Sequence, residues 1–198
     1  MDYRPLGRTG LKVSPLALGT MMFGPWGNDD VEDSIRIIHH ALDAGINFVD
    51  TADVYSEGGS EEIVGKALEG RRDDVVLATK FFVPMSDKPN ERGGSRKWIM
   101  REVENSLRRL RTDYIDLYQV HRPDAEMDVE ETLGALTDLV RQGKVRYIGS
   151  SSYSGSQIVE AQWASRDRNL ERFVTEQPPY SMIVRGAEND VFPALQRH

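Results

Sequence analysis

Four residues of this sequence have side chains suited to proton transfer at an oxygen atom. Asp50, Lys80 and His121 each end a short apolar segment, and Tyr55 follows Asp50 by five residues. A lysine ammonium beside a tyrosine hydroxyl stabilises the phenolate and so makes the hydroxyl a stronger acid. An aspartate beside the lysine keeps it charged and oriented, and a histidine nearby can donate a hydrogen bond to a carbonyl oxygen. Together they suit a reaction in which an oxyanion forms and is protonated, as when hydride is added to an aldehyde or ketone.

Short apolar segments alternate with amphipathic ones along the chain. Strands that recur about every 30 residues between helices predict βαβ units and a parallel sheet of an α/β fold. Because the carboxyl ends of parallel strands face the same way, we expect the residues that end the strands to meet at one mouth. The predicted strands are residues 16–19, 48–50, 75–80, 115–121, 145–151 and 173–177, and helical spacing of apolar residues marks segments 35–42, 63–68, 99–110 and 133–140.

Three local patterns add detail. Glycines at positions 7 and 10 predict the turn of a small hairpin that precedes the first strand of the sheet. Ser60, followed by Glu62 and Ile63, is typical of a helix N-cap. Arg109 lies in a run of arginines that we interpret as a charge cluster at a helix C-terminus.

Composition excludes several classes of function. The 198 residues include no cysteine, which excludes thiol nucleophiles and disulfides, and the net charge of -7 makes nucleic acid a poor candidate partner. A hydrophobic fraction of 39% predicts a packed core, which we expect to be a single domain, residues 1–198. No apolar run approaches the length of a membrane span or of a signal peptide, so the sequence favours a cytoplasmic protein with no membrane partner.

The sequence contains several longer motifs, which are Asp50-Thr51-Ala52-Asp53-Val54-Tyr55, residues 58–68, Leu77-Ala78-Thr79-Lys80, residues 107–121 and residues 143–149. These motifs resemble the aldo-keto reductases, and the resemblance extends from one end of the chain to the other. It implies a (β/α)₈ TIM barrel, NADP(H) bound without a Rossmann domain, and a catalytic tetrad of Asp50, Tyr55, Lys80 and His121. Tyr55 would be the general acid in the reduction of a small-molecule carbonyl substrate.

The resemblance also implies which residues hold the cofactor. The family has a serine and a glutamine that bind the nicotinamide carboxamide, and Ser151 and Gln177 match them. Between them the family usually has asparagine, where this chain has the shorter Ser152, so one amide contact is expected to be lost or bridged by water. The implied cofactor-binding residues are Gly19, Thr20, Met21, Asp50, Ser151, Ser152 and Gln177.

The length of the chain corresponds to an incomplete barrel. A full barrel typically needs about 250 residues, so the 198 residues predict about six of eight βα units and a domain truncated at its C-terminus. The family's loop for the adenosine 2′-phosphate and its aromatic residue that stacks on nicotinamide would then lie outside the chain. Open strand edges would favour a homo-oligomer.

Two other functions remain open from the sequence. Lys80 is also the kind of residue that forms a Schiff base in an aldolase or lyase barrel. A regulatory or fragmentary protein of the same fold would have no catalytic activity. No metal site is predicted, because His39, His40 and Asp43 have helical spacing but lack a further ligand.

Overall fold

A parallel sheet of six strands dominates the computed structural model, which describes residues 1–198. The strands follow one another in chain order, each pairing with the next, and helices connect them. This is a curled, partial (β/α)₈ barrel, and it confirms the predicted fold class. A two-stranded antiparallel hairpin precedes it, as predicted. The strands are β1 (Arg4–Pro5) and β2 (Lys12–Val13) in the hairpin, then β3 (Leu18–Gly19), β4 (Phe48–Asp50), β5 (Val76–Phe81), β6 (Ile115–Val120), β7 (Val145–Ser151) and β8 (Phe173–Gln177) in the sheet.

Six helices accompany the strands, and four of them were predicted from the spacing of apolar residues. The fifth, α5, was not among those four segments, although a serine–glutamine capping box begins it. None of the helices combines the length and the apolar character needed to cross a membrane. They are α1 (Val31–Asp43), α2 (Gly59–Ala67), α3 (Arg96–Leu110), α4 (Val129–Arg141), α5 (Gly155–Arg168) and α6 (Val191–Arg197).

The helices cover one face of the sheet and form most of the core. Every residue of β5 is buried, and α3 presents Ile99, Val103 and Leu110 to the sheet with almost no exposed surface. Burial of an aliphatic side chain of this size stabilises a fold by about 1.5–3 kcal/mol. The core therefore holds the carboxyl ends of the strands in fixed relative positions, which is what a site built on several strands requires.

The prediction that Ser60 caps a helix is wrong. Helix α2 already begins at Gly59, with Gly58 as its N-cap in a left-handed conformation, so Ser60 lies within the first turn. The Ser60 hydroxyl donates instead to the carbonyl oxygen of Thr20 at 2.8 Å and lies 3.0 Å from the hydroxyl of Thr51. Ser60 therefore connects the ends of β3 and β4.

The outer strands, β3 and β8, each pair with one neighbour in the sheet. An unpaired strand edge presents free backbone N–H and C=O groups and is a site of pairing between chains. We therefore expect the 198-residue polypeptide to self-associate. Size-exclusion chromatography with light scattering checks this expectation: oligomers or aggregates are the expected result, and a monodisperse monomer would show that the edges are protected in another way.

Candidate active site

The four residues predicted to act together lie close to one another at the carboxyl ends of the strands. Asp50 is the last residue of β4, Lys80 is the penultimate residue of β5, and His121 directly follows β6. Tyr55 lies on the short turn between β4 and α2. Adjacent parallel strands with these ends in step therefore place all four side chains at one mouth.

Lys80 is the centre of the arrangement. Its Nζ donates to Asp50 Oδ2 at 2.6 Å, to the Thr51 carbonyl oxygen at 2.9 Å and to the Tyr55 hydroxyl at 3.4 Å. An ammonium has three N–H groups, and here each has an oxygen partner. Lys80 is only 1% exposed, so water contributes little to this arrangement. The Lys80 ammonium therefore connects the Tyr55 hydroxyl with Asp50 at the same mouth.

Tyr55 begins an unusual turn. The next two residues, Ser56 and Glu57, both have left-handed backbone angles, with φ of 50° and 56°, which residues other than glycine seldom adopt. Ser56 is fixed there because its hydroxyl donates to the carbonyl oxygen of Phe23 at 3.1 Å. The Tyr55 ring is half-buried, and its centroid lies 5.8 Å from that of His121 in an edge-on arrangement. The turn therefore directs the Tyr55 hydroxyl into the mouth.

His121 is held in its neutral form. Partial burial, reinforced by the positive charges of Lys80 and Arg122, lowers the pKa of His121 from its ordinary value of 6.5 to about 4. Its Nδ1 is buried without a hydrogen-bond partner. A neutral imidazole carries one N–H, so His121 can donate a hydrogen bond to a substrate oxygen but does not carry a spare proton near pH 7.

The low pKa of His121 is directly testable. Nuclear magnetic resonance titration of the imidazole protons should give one midpoint near pH 4, and that resonance should be missing from His121→Asn. The sequence has four histidines, so the resonance lost in His121→Asn identifies which midpoint belongs to His121. A His121 midpoint above pH 6 would contradict the burial and the nearby positive charges described here.

Asp50 is also connected to the neighbouring strand ends. Gln119 of β6 donates from Nε2 to Asp50 Oδ1 at 3.2 Å and to Gln177 Oε1 at 3.3 Å, and Gln177 donates to Asp50 Oδ2 at 3.3 Å. Ser151 donates to the backbone carbonyl of Gln177 at 2.9 Å. These contacts place Ser151 and Gln177 at adjacent strand ends, next to Asp50.

Gln119 is a residue of the site that the sequence analysis missed. It is 3% exposed and lies within an apolar strand. A signal was present, because an amide in a buried strand needs hydrogen-bond partners. Because Lys80 and Asp50 were already predicted at the neighbouring strand ends, the sequence could have predicted that the Gln119 amide binds a residue there.

The last residue of β3 and the two residues that follow it differ in accessibility. A Cβ atom on Gly19 would meet no atom within 4 Å, and Met21 is 48% exposed, so both border open space. Thr20 has no exposed surface, and its hydroxyl is bonded to the Asp50 carbonyl oxygen at 3.2 Å and to Ser60 at 2.9 Å. The Thr20 side chain therefore holds β3 against β4, and its contact with a cofactor stays a prediction.

Comparison with known proteins agrees with this geometry. A model described as the aldo/keto reductase family matches residues 15–198. The chain belongs to the aldo/keto reductase family. It is 47% identical to "Uncharacterized oxidoreductase YrpG" and 44% identical to "Aldo-keto reductase YhdN", both of Bacillus subtilis, over 99% and 98% of its length. It is 41% identical over 100% of its length to "Probable voltage-gated potassium channel subunit beta" of Arabidopsis thaliana.

The chain spans only part of the length of these relatives. It covers 63% of the first Bacillus relative, 58% of the second and 61% of the Arabidopsis relative. The six strands described above thus correspond to a portion of the relatives, and this portion contains all four residues of the predicted tetrad.

Ser152 stands where aldo-keto reductases usually have asparagine, and its backbone suits asparagine. Its φ is 64°, and among residues with side chains asparagine is one of those most often found in this left-handed region. The Ser152 amide donates to the carbonyl oxygen of Gln177 at 3.3 Å. The loop therefore has the conformation that an asparagine would take, with a shorter side chain in place.

Proposed function

We propose that this protein is an NADP(H)-dependent oxidoreductase that reduces aldehydes or ketones to alcohols, with Tyr55 as the general acid. One observation carries the proposal: the Lys80 ammonium is bonded to Asp50, to the Thr51 carbonyl and to the Tyr55 hydroxyl at a buried position. This arrangement favours loss of a proton from the tyrosine to an oxygen in the mouth.

The side chains divide the work as follows. A bound reduced nicotinamide supplies the hydride for such a reaction. Tyr55 gives its hydroxyl proton to the carbonyl oxygen of the substrate as negative charge develops there, and Lys80 stabilises the phenolate that remains. Asp50 keeps Lys80 in place, and neutral His121 donates a hydrogen bond to the same substrate oxygen. General acid catalysis of this kind contributes about 10²–10⁴-fold to a rate.

The residues around the mouth fit a nicotinamide cofactor. A carboxamide needs both a donor and an acceptor, and the Ser151 hydroxyl and Gln177 amide offer them at adjacent strand ends. Gly19 leaves open space, and Met21 offers an exposed apolar side chain. We assign these residues, with Asp50 and Ser152, to cofactor binding and give Thr20 a supporting position beneath them. The choice of NADP(H) follows from the family resemblance.

Replacing Ser152 by asparagine tests this assignment. Ser152→Asn should keep or tighten cofactor binding, because a longer amide in the same left-handed conformation reaches the carboxamide and adds one hydrogen bond. Such a bond contributes about 0.5–1.5 kcal/mol, which corresponds to about 2- to 12-fold in Kd. Quenching of the protein's intrinsic fluorescence by NADPH measures this Kd, and Ser156→Asn in α5 is the control. Weakening of more than tenfold would mean that the loop does not face the cofactor.

The contacts of Lys80 favour a reductase over a Schiff-base enzyme. A lysine that forms an imine must present a free, neutral amine, whereas Lys80 Nζ already has three oxygen partners and almost no exposed surface. Borohydride reduction in the presence of a carbonyl substrate, followed by mass spectrometry of the intact protein, separates the two functions. We expect no covalent adduct, and an adduct on Lys80 would support the lyase.

A protein of the same fold without catalysis is the second candidate. It is favoured by the relatives whose names describe a probable channel subunit, such as the Arabidopsis protein. Binding of NADPH without oxidation, over a panel of aromatic and aliphatic aldehydes, would support that function against the reductase. We propose that the protein is cytoplasmic. We also propose that its binding partner is a small carbonyl compound.

A further inference from the structure

A second group of charged side chains lies on the helix-facing side of the sheet. Arg109 of α3 donates from Nε to Glu61 of α2 at 2.6 Å. It also donates from Nη2 to Glu102, which lies seven residues earlier in α3, at 2.6 Å. Glu61 is fully buried and also accepts from the Thr79 hydroxyl at 2.5 Å. Arg109 lies in the last turn of α3, as the sequence analysis expected, and from a partly buried position it also connects α3 to α2.

Asp53 belongs to the same group but has no partner there. It has no exposed surface, and neither oxygen of its carboxyl group accepts or donates a side-chain hydrogen bond. The hydroxyl of Tyr118, on β6, is likewise buried and unpartnered. The charged or titratable groups that act on Asp53 are Glu61 from α2 and Glu102 and Arg109 from α3.

The group has an excess of negative charge, which protonation of one carboxyl group reduces from two charges to one. Three buried carboxyl groups face one guanidinium, and burial of an unpaired carboxylate is strongly unfavourable. Glu61 and Glu102 have the arginine as a direct partner, whereas Asp53 does not. Burial, reinforced by the negative charges of Glu61 and Glu102, raises the pKa of Asp53 well above its ordinary value. Asp53 is therefore the member that holds the proton.

This buried group is in contact with the turn that carries Tyr55. A Cβ atom on Gly58 would lie 2.7 Å from Cδ of Arg109, so the arginine packs directly against the end of the turn. Asp53 precedes Tyr55 by two residues, and its amide donates to the Lys80 carbonyl oxygen at 3.0 Å. The group thus contacts both ends of the segment whose middle has two residues in left-handed conformations.

We propose that Arg109, bridged to Glu61 and Glu102 beside Asp53, is the positioning group that fixes the Tyr55 turn for proton transfer. Arg109 acts through the turn and touches neither substrate nor cofactor. The expected effect on kcat rests on the proposed function. The ordering of the turn can be measured without any turnover.

Arg109→Lys is the first variant. Lysine keeps the charge but cannot bridge two carboxylates in the same plane as arginine does, so the turn should loosen. A misplacement of about 1 Å can cost about 100-fold in rate, and we expect kcat to fall by about tenfold or more while Kd for NADPH changes less than threefold. Arg111→Lys is the matched control, because Arg111 forms an exposed ion pair with Glu69 at the end of the same helix.

Hydrogen exchange measured by mass spectrometry gives the readout that does not depend on activity. Amides of the turn at residues 55–58 should exchange faster in Arg109→Lys than in wild type, and those of β6 and β7 should be unchanged. If the wild type reduces no carbonyl compound, the proposed function fails while this measurement still decides the inference. A kcat within threefold of wild type, or unchanged exchange in the turn, would overturn it.

Asp53→Asn tests the proton assignment. A neutral amide replaces a neutral acid of the same shape, so kcat and turn exchange should stay within threefold of wild type. In the native wild type Asp53 keeps a proton that the same residue loses above about pH 4 in the unfolded chain. The folding equilibrium constant of the wild type should therefore decrease as pH rises, by up to about tenfold per pH unit. The melting temperature of Asp53→Asn relative to wild type should therefore increase from pH 4 to pH 7. A constant difference, or a loss of kcat like that of Arg109→Lys, would show that Asp53 is ionised and would overturn the assignment.

Discussion

Tyr55→Phe should lower kcat for carbonyl reduction by about 10²- to 10⁴-fold and leave the Kd for NADPH nearly unchanged. The substitution removes only the hydroxyl that lies 3.4 Å from Lys80 Nζ. The ring remains, so its edge-on contact with His121 and the shape of the mouth are kept. The proton must then come from water, which lacks the fixed position and the neighbouring ammonium.

Steady-state assays that follow NADPH absorbance measure this loss, and fluorescence quenching measures the Kd. Tyr114→Phe is the matched control, because the Tyr114 hydroxyl binds Asp73 beyond the amino end of β6, away from the mouth. That variant should keep kcat within twofold. A loss of less than tenfold for Tyr55→Phe would remove Tyr55 from the role of general acid.

Lys80→Met should abolish measurable turnover and also destabilise the fold. Asp50, whose side chain is 13% exposed, would keep a negative charge without its counterion. Removing one partner of a buried ion pair typically costs about 3–5 kcal/mol in the free energy of unfolding. The Tyr55 hydroxyl would lose the ammonium that stabilises its phenolate, so the pH–rate profile of any residual activity should shift to higher pH.

The double variant Lys80→Met with Asp50→Asn separates these effects. It removes both charges, so it should recover most of the stability lost by Lys80→Met while remaining inactive. Denaturant unfolding of the wild type, both single variants and the double variant gives the coupling between the two residues. Additive losses of stability, or a pH–rate profile that does not move in Lys80→Met, would mean that the two charges and Tyr55 are not functionally linked.

The grouping of Asp50, Lys80 and His121 could be predicted from the sequence because it depends on strand order alone. Once the chain is interpreted as parallel strands in sequence order, residues that end the strands must lie together. The bounds of β4, β7 and β8 agree with the prediction. β5 is shifted by one residue at both ends, β6 ends one residue earlier than predicted, and β3 begins two residues later. The catalytic and cofactor-binding roles of these residues remain predictions.

Helix α5 could not be predicted in the same way, because its apolar pattern is contradictory. Trp163 is 61% exposed and Val159 is 42% exposed, whereas Ala161 and Ala164 are buried against the sheet. Large apolar residues on the solvent side and small ones on the buried side cancel the periodic signal that marks an amphipathic helix. The capping box at Ser154 was the remaining local clue.

The bridging role of Arg109 was missed for a different reason. Local sequence places an arginine at a helix C-terminus, where a favourable interaction with the helix dipole explains it sufficiently. Its buried partner Glu61 is 48 residues away in the sequence, so only the packing of α2 against α3 brings the two together. Ser60 was misassigned for the same reason, since its partner Thr20 follows β3 and lies 40 residues away in the sequence.

Transfer of deuterium from the cofactor is the most direct test of the central claim. The protein is incubated with NADPH deuterated at C4 on either face and with an aldehyde, and the alcohol is analysed by mass spectrometry and proton magnetic resonance. The account predicts deuterium on the former carbonyl carbon from one of the two labelled faces, with transfer lost in Tyr55→Phe. Alcohol without deuterium from either face, or no alcohol from a protein that binds NADPH, would contradict it.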